Sequence, residues 1–417
     1  MRHLAYITVI LAILFGGVSC TQAQVEDPGE IIEEEDPQAP EENKLQLSTK
    51  SSELVKIANT FAYDFIDRIN ASEEGSYVVS PLSMQFLLGM ILNGAKGDTA
   101  DEICKVLGYD AGDMDDVNEF CLSMLQQLPG LDKDTKLAIA NAVVVNQRFP
   151  LKDSYKTAVG KFYEAEVSNL DFTDNAGTTQ KINKWCSDHT EGLIPKVLDE
   201  VDPDMFSYLM NALYFKSAWK TPFKAENTAP GNFTKADGKV VSVPMMKMNE
   251  DLYHIQNDVF QGVCLPYGNG TYMMNLFLPG EGKNLSDVTA ALKKVGVKDL
   301  PFIRAKVDLM LPKFETKSEI NLNNTLKAMG MPTAFTDNAD FKGMSDDLSL
   351  CLSFVKQFAR IIVNEEGSEA AAISIGGVMF TSAPRPVTFH ADQPFLYIIA
   401  ETSTGAVLFA GRYDGES

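Results

Sequence analysis

Among 417 residues there are only six cysteines, four histidines and two tryptophans, and each scarcity narrows the chemistry open to the chain. With Cys20 set aside in the leader, Cys104, Cys121, Cys186, Cys264 and Cys351 form an odd set without CxxC spacing, which argues against a disulfide framework. His189, His254 and His390 stand far apart, and no HExxH or Cys/His cluster frames a metal, so neither a metal nor a cofactor is expected. No G-x-S-x-G elbow, Walker loop or dinucleotide fingerprint is present, which leaves a Ser/His hydrolase or a nucleotide enzyme without its motif. Positive charge is also short. Against 57 Asp and Glu there are 36 Lys and Arg, and the formal charge of -21 repels nucleic acid, polyanionic glycans and anionic membrane surfaces.

What remains is a globular composition, 45% hydrophobic and 22% charged, long enough for a large core. Residues 1-19 read as a signal peptide: Met1-Arg2, an apolar run from Leu4 to Val18, and small residues before Cys20. That ending resembles a bacterial lipobox, in which Cys20 would be lipidated and become the mature N-terminus; cleavage nearby with free secretion is the alternative. Residues 21 to 43 carry nine acidic side chains and no basic one, with Pro28, Pro37 and Pro40 among them. Such a segment buries too little to fold, so residues 20-50 read as an acidic tether. The protein is therefore expected outside the cytoplasm, anchored at the cell surface or in the periplasm, or secreted. A membrane would be met only through the lipid.

Apolar residues recur at helical spacing from Leu54 to Ile69, which predicts a core-facing helix. Ser80-Pro81 supplies a cap and a pre-bent first residue for a second helix, closed by Gly94 and Gly97. Thr99-Ala100-Asp101-Glu102 fits a capping box for a short third helix. Lys293, Lys294 and Lys298 read as a solvated helix face. Strand patterns follow at Leu137 to Val145, Tyr272 to Leu278 and Val307 to Leu311, and Phe395 to Ala400 and Ala406 to Tyr413 frame a turn at 402-405. Early helices and later strands without a βαβ rhythm predict an α+β domain over residues 51-417.

Ser80-Pro81-Leu82-Ser83 with Asn93-Gly94-Ala95-Lys96-Gly97-Asp98-Thr99, then Ile182-Asn183-Lys184-Trp185, Asn211-Ala212-Leu213-Tyr214-Phe215-Lys216 and Trp219, resemble successive signatures of the serpin family. Pro394-Phe395-Leu396 and Thr404-Gly405-Ala406-Val407-Leu408-Phe409-Ala410-Gly411-Arg412 continue the match in order. The resemblance implies helices packed around three β-sheets, with an exposed reactive loop at about residues 365-386 that can insert into the central sheet. It implies that Ser80, Ser83, Asn211 and Gln357 sit where that sheet opens, with Trp219 at its top. Gln357 stands where the family often has histidine, and its amide can still donate and accept.

Glu365, Glu366, Gly367, Ser368, Glu369, Ala370, Ala371 and Ala372 align with the family's hinge. Were residues 368 to 376 a strand, alternation would put Ser368, Ala370, Ala372, Ser374 and Gly376 on one face, all small, and Glu369, Ala371, Ile373 and Ile375 on the other. A strand sliding over a filled core needs such a face, because a bulky or charged residue would overpack or strand a charge. Roughly ten added residues, with backbone hydrogen bonds at about 0.5 to 1.5 kcal/mol each, could supply on the order of 10 kcal/mol. The native fold would then be a kinetic trap.

In the family the attacked bond lies roughly 14 residues beyond the hinge glycine, about 46 Å of extended chain. Counted from Gly367, that gives Thr381-Ser382, with Phe380 or Met379 as alternatives. The resemblance thus implies a suicide inhibitor of serine or cysteine proteases, monomeric and not itself an enzyme. Thr381 suits elastase-like or subtilisin-like pockets, Phe380 one position back suits papain-like enzymes, and a shifted register suits chymotrypsin-like ones. The competing expectation is a non-inhibitory member acting as carrier, chaperone or storage protein; such members often carry a hinge spoiled on its inserting face, and this one is not.

Overall fold

A computed structural model describes residues 44–110, 112–346, 350–368 and 386–415. The expected first helix is α1, Thr49–Ser72, whose Leu54, Phe61, Phe65 and Ile69 are buried and whose Ser48 side chain accepts from the Ser51 N–H. After β1, Tyr77–Val79, the chain enters α2, Pro81–Gly94, at the Ser80–Pro81 cap. Almost every side of α2 is buried, so it runs through the core.

The boundary between α2 and the next helix corrects the sequence reading. Helix α3 spans Gly97–Leu107, so Gly97 opens it, and only Gly94 belongs to the end of α2. No capping box forms, because Lys96 is the cap residue and makes no side-chain cap bond. The two residues assigned to that box are used in tertiary contacts: Thr99 Oγ1 accepts from Asp340 N–H at 2.9 Å, and the Glu102 carboxylate receives the Thr333 backbone and hydroxyl at 2.9 and 2.7 Å.

The middle of the chain builds a sheet under a helix. Helix α4, Met114–Gln127, leads to β2, Lys136–Asn146; α5, Asp153–Phe162, then returns the chain to β3, Glu166–Leu170, parallel to β2. Helix α6, Asn175–His189, precedes β4, Ser207–Ala218, which pairs antiparallel with β2 from Lys136↔Lys216 to Val145↔Ser207.

The next strands form the largest sheet: β5 (Ala229–Thr234), β6 (Val240–Gln256), β7 (Phe260–Pro266) and β8 (Tyr272–Pro279). Helix α7, Leu285–Val295, follows; its Lys293 and Lys294 lie exposed on a solvated face, as does Lys298 just beyond it, and Lys293 also pairs with Asp64 of α1. Strand β9, Ile303–Pro312, has the anticipated alternation, with Val307, Leu309 and Leu311 fully buried. It leads into β10 (Phe314–Asn321), α8 (Asn323–Met329) and β11 (Lys356–Val363), which is antiparallel to β10.

A two-residue strand β12, Gly367–Ser368, is followed by β13 (Val387–His390), β14 (Phe395–Glu401) and β15 (Val407–Tyr413). The expected terminal hairpin is present, and its turn is tied by the buried Glu401 carboxylate, which accepts the backbone N–H groups of Ser403 and Thr404. Among the described residues three sheets result: β1-β15-β14-β8-β7-β6-β9-β13 with β5 on β6, β12-β4-β2-β3, and β10-β11. The fold is α+β, with helices packed around three sheets.

Candidate functional site

Beyond β11 the chain turns sharply, and the side chain of Asn364 holds the turn. Its Oδ1 accepts from the N–H groups of Glu366 and Gly367 at 3.0 and 3.1 Å, while its own N–H donates to the Gly367 carbonyl at 3.0 Å. Trp219, which follows β4, locks the turn from outside. Its Nε1 donates to Asn364 O at 2.9 Å, its backbone N–H donates to Glu366 O at 2.9 Å, and its ring stacks on Tyr267 at 4.4 Å.

Glu365 is pinned as well. Burial alone would raise its carboxyl, but the Lys313 ammonium at 2.8 Å and the Thr228 hydroxyl at 2.9 Å outweigh that and hold it below the usual range. The Phe223 N–H also donates to the Glu365 carbonyl at 2.8 Å.

The turn delivers Gly367 and Ser368 to the edge of β4, antiparallel, with Gly367 opposite Ala218 and Ser368 opposite Ser217. Gly367 has φ of +152°, and a Cβ there would collide with the Ser217 carbonyl oxygen, so glycine is required. Ser368 is 2% exposed and its hydroxyl meets that of Tyr267 at 2.7 Å. Burial pushes the Tyr267 hydroxyl far up and the Ser368 contact offsets little of that, so the pair is neutral.

Below this point the sheet is open. Strand β4 ladders with β2 and β12, β11 ladders with β10, and among the described residues no ladder joins β4 to β11. A cleft of about 370 Å³ lies between them, reaching Ser80 and Ser83 at the head of α2 and Cys186 on α6. The Gln357 amide bridges the cleft's floor: it accepts from the Ser80 N–H at 3.0 Å and donates to the Ser80 carbonyl at 2.8 Å. Ser80 Oγ accepts from the Ser83 N–H at 3.1 Å and donates to Leu408 O at 2.7 Å.

On β4, Asn211 Nδ2 donates to Asn141 Oδ1 at 2.8 Å, and Asn141 donates to Tyr163 O at 2.7 Å. Among the described residues Asn211 Oδ1 is buried without a partner, an unpaired acceptor in the cleft wall. On β11, Arg360 donates to Glu315 at 2.9 Å and to Leu193 O at 3.2 Å, fastening β11 to β10 and to the connection that leads from α6 into β4. The Arg360 contact, followed by that of Lys317, holds the Glu315 carboxyl below its ordinary range.

Of the residues singled out from sequence, Ser80, Ser83, Asn211 and Gln357 line one cleft, and Glu365, Glu366, Gly367 and Ser368 form the turn and its short strand. Trp219 is apart from the cleft and clamps the turn. Cys20, Glu369, Ala370, Ala371, Ala372, Met379, Phe380, Thr381 and Ser382 lie outside the described residues. Sequence reasoning missed Asn141, Tyr267, Lys313 and Asn364. Only Asn364 carried a local signal, an Asx residue followed by a Glu-Glu-Gly turn.

The profile of the family Serpin (serine protease inhibitor) matches residues 56–414. Serpin B6 of Macaca fascicularis is 33% identical over 371 residues, covering 86% of this chain and 98% of that protein. Human neuroserpin is 31% identical over 359 residues, covering 83% and 88%. Among solved structures, the native state of the thermophilic serpin tengpin aligns with a TM-score of 0.78 at 27% identity, covering 89% of this chain and 95% of that one. Human thyroxine-binding globulin complexed with thyroxine aligns at 0.77 and 27%, covering 87% and 98%.

Proposed function

The chain belongs to the serpin family, and we propose that it is a suicide inhibitor of serine or cysteine endopeptidases, attacked near Thr381-Ser382 and trapping the acylated protease as its hinge enters the central sheet. The observation that carries this reading is the seating of Gly367 and Ser368 on β4 at the head of a cleft whose long sides, β4 and β11, lack a ladder. Continued one residue at a time, that register would pair Ala370 with Phe215, Ala372 with Leu213 and Ser374 with Asn211 on the core face. Small residues would meet large ones, and the Ser374 hydroxyl would reach the unpaired Asn211 Oδ1.

The opposite face would set Glu369 beside Lys216, Ala371 beside Tyr214, Ile373 beside Ala212 and Ile375 beside Met210. That face meets α6, where Tyr208 and Met210 pack with Ile182. Each side chain would thus find a partner of its own kind. Every residue added forms backbone hydrogen bonds of about 0.5 to 1.5 kcal/mol, so the uninserted state is held kinetically.

The protease supplies the nucleophile and the acyl chemistry at the Thr381 carbonyl; the inhibitor supplies only the bond and the strand. Thr381 fits elastase-like and subtilisin-like enzymes, Phe380 papain-like ones, and Phe380 or Met379 as the attacked residue chymotrypsin-like ones. Residues 1-19 and Cys20 support export with a lipid anchor, and the acidic segment from residue 21 to 43 would hold the domain clear of the membrane, since Leu45 is already buried in the core and α1 opens at Thr49. A carrier role is the second reading, favoured by the likeness to thyroxine-binding globulin with its bound thyroxine.

The test is to mix the protein with elastase, subtilisin, chymotrypsin, trypsin and a papain-like enzyme and run denaturing gels with mass spectrometry. A detergent-resistant adduct and a released fragment beginning at Ser382 are expected. Loop cleavage without adduct from every enzyme would leave the carrier reading.

A further inference from the structure

Six sulfur-bearing side chains line the cleft between β4 and β11: Met84, Cys186, Met205, Met210, Met344 and Cys351. Their access to solvent is graded. Met84 and Met344 are buried at 1% and 4%, whereas Met205 and Met210 are half-buried. Burial pushes the Cys186 thiol up to about 12, which leaves almost no thiolate. A thioether has no proton to lose, so its reactivity toward oxidants follows access alone. Met205 and Met210 both pack on the α6 side of the sheet, with Val197 and Leu198 of the same apolar cluster.

We propose that Met205 and Met210 are an oxidant-modified pair, and that their conversion to sulfoxides by hydrogen peroxide or a related hydroperoxide blocks strand insertion into the cleft. This rests on the insertion reading above. In each modification a sulfur lone pair attacks a peroxide oxygen, the S–O bond forms as the O–O bond breaks, and the departing oxygen takes up the transferred proton and leaves as water, or as the alcohol when the oxidant is an organic hydroperoxide. Sulfur is oxidised by two electrons and the peroxide is reduced by two.

The product is a polar sulfoxide oxygen on a wall made by Ile182, Val197 and Leu198, which have no side-chain donor, and by Tyr208, whose hydroxyl is engaged with the Asp202 N–H at 3.1 Å. While the cleft is open, water solvates that oxygen. Insertion would set Ile375 beside Met210 and expel the water, leaving the acceptor unpaired, so the oxidised protein is cleaved as a substrate instead of trapping the enzyme. Cleavage itself is unaffected, because oxidation at Met205 and Met210 leaves the residues of the attacked bond chemically unchanged.

The experiment uses the full chain carrying Met379→Leu, which removes the reactive-loop thioether, exposed to graded hydrogen peroxide below any unfolding concentration. Peptide mapping should find one added oxygen on Met205 and Met210 before Met84 and Met344, and the adduct-to-cleaved ratio should fall several-fold in step. The additional changes M205L and M210L, which conserve volume, should preserve the ratio after peroxide. Sulfoxide at both positions with an unchanged ratio overturns the proposal, as does equal loss in the leucine variant. So does a map in which Met114 and Met329, half-buried elsewhere, oxidise while the cleft pair does not. If the untreated protein gives no adduct with any protease, the inhibitor reading has failed on its own. The pair is then judged by the rise in thermal midpoint after loop cleavage, which should be smaller in oxidised than in untreated protein; an equal rise overturns it.

Discussion

The side-chain amide of Gln357 copies a strand pairing, giving one hydrogen bond to the Ser80 carbonyl at 2.8 Å and taking one from the Ser80 N–H at 3.0 Å. One residue of β11 is thereby clasped to the head of α2 across 277 positions of sequence. Both Ser80 groups are buried, so losing the amide would leave a donor and an acceptor unpaired. Gln357→Ala should lower native stability by about 1 to 3 kcal/mol, read as a lower urea midpoint with unchanged slope. An unaltered midpoint would mean that water replaces the clasp at no cost.

Gly367 is the second position where the backbone leaves no choice. A side chain there meets the Ser217 carbonyl and a φ of +152°, so Gly367→Val should detach Gly367 and Ser368 from β4. On the proposed mechanism the variant is cleaved as readily as the parent but traps several-fold less protease, visible as a lower adduct-to-cleaved ratio on denaturing gels. Equal ratios would show that trapping does not begin from this pairing.

Much of this architecture could be read from periodicity. The buried stripe of α1 and the alternation of Val307, Leu309 and Leu311 are local patterns that the core simply honours. Thr99 and Glu102 were misread because a capping box and a tertiary contact use the same residue types, and only the position of Asp340 and Thr333 decides between them. The cleft is reached from sequence only through the family resemblance, which places Ser80, Ser83, Asn211 and Gln357 at one opening, and local patterns miss it for a different reason. Its walls are β4 and β11, more than a hundred residues apart, and what makes it a cleft is a pairing that is absent, which no local signal encodes. Asn364 and Lys313 matter only once Trp219 and Glu365 are brought to them.

His254 on β6 should make stability depend on pH. It is 4% exposed, and burial lowers its pKa below the ordinary value of about 6.5. Gln261 Nε2 lies 3.1 Å from His254 Nε2 and 2.6 Å from the Thr388 carbonyl, so the ring accepts from the amide and is neutral. The unfolded chain binds the proton more readily than the folded one, so this contribution is complete above the unfolded value and is lost as pH falls from about 6.5 through the folded one. The urea midpoint should therefore decline between about pH 7.5 and 5.5, and His254→Gln should flatten that decline. Parallel profiles for the two proteins would remove His254 as the cause.

The two faces of the hinge give the sharpest test of the register. Ala372 would enter opposite Leu213, a core residue of 8% exposure, whereas Ile373 would enter opposite Ala212 on the α6 side. Ala372→Asp would carry a carboxylate into apolar packing with no cation to meet it, a cost of several kcal/mol, and should abolish adduct while leaving cleavage intact. Ile373→Thr would remove some apolar contact and add one hydroxyl, which the backbone can satisfy locally, so adduct should persist at reduced yield. Both variants would be mixed with the same protease and compared for adduct yield and for the thermal midpoint of the cleaved form. If Ala372→Asp traps as well as the parent and Ile373→Thr does not, the faces are exchanged and the hinge enters one residue out of the register begun by Gly367 and Ser368.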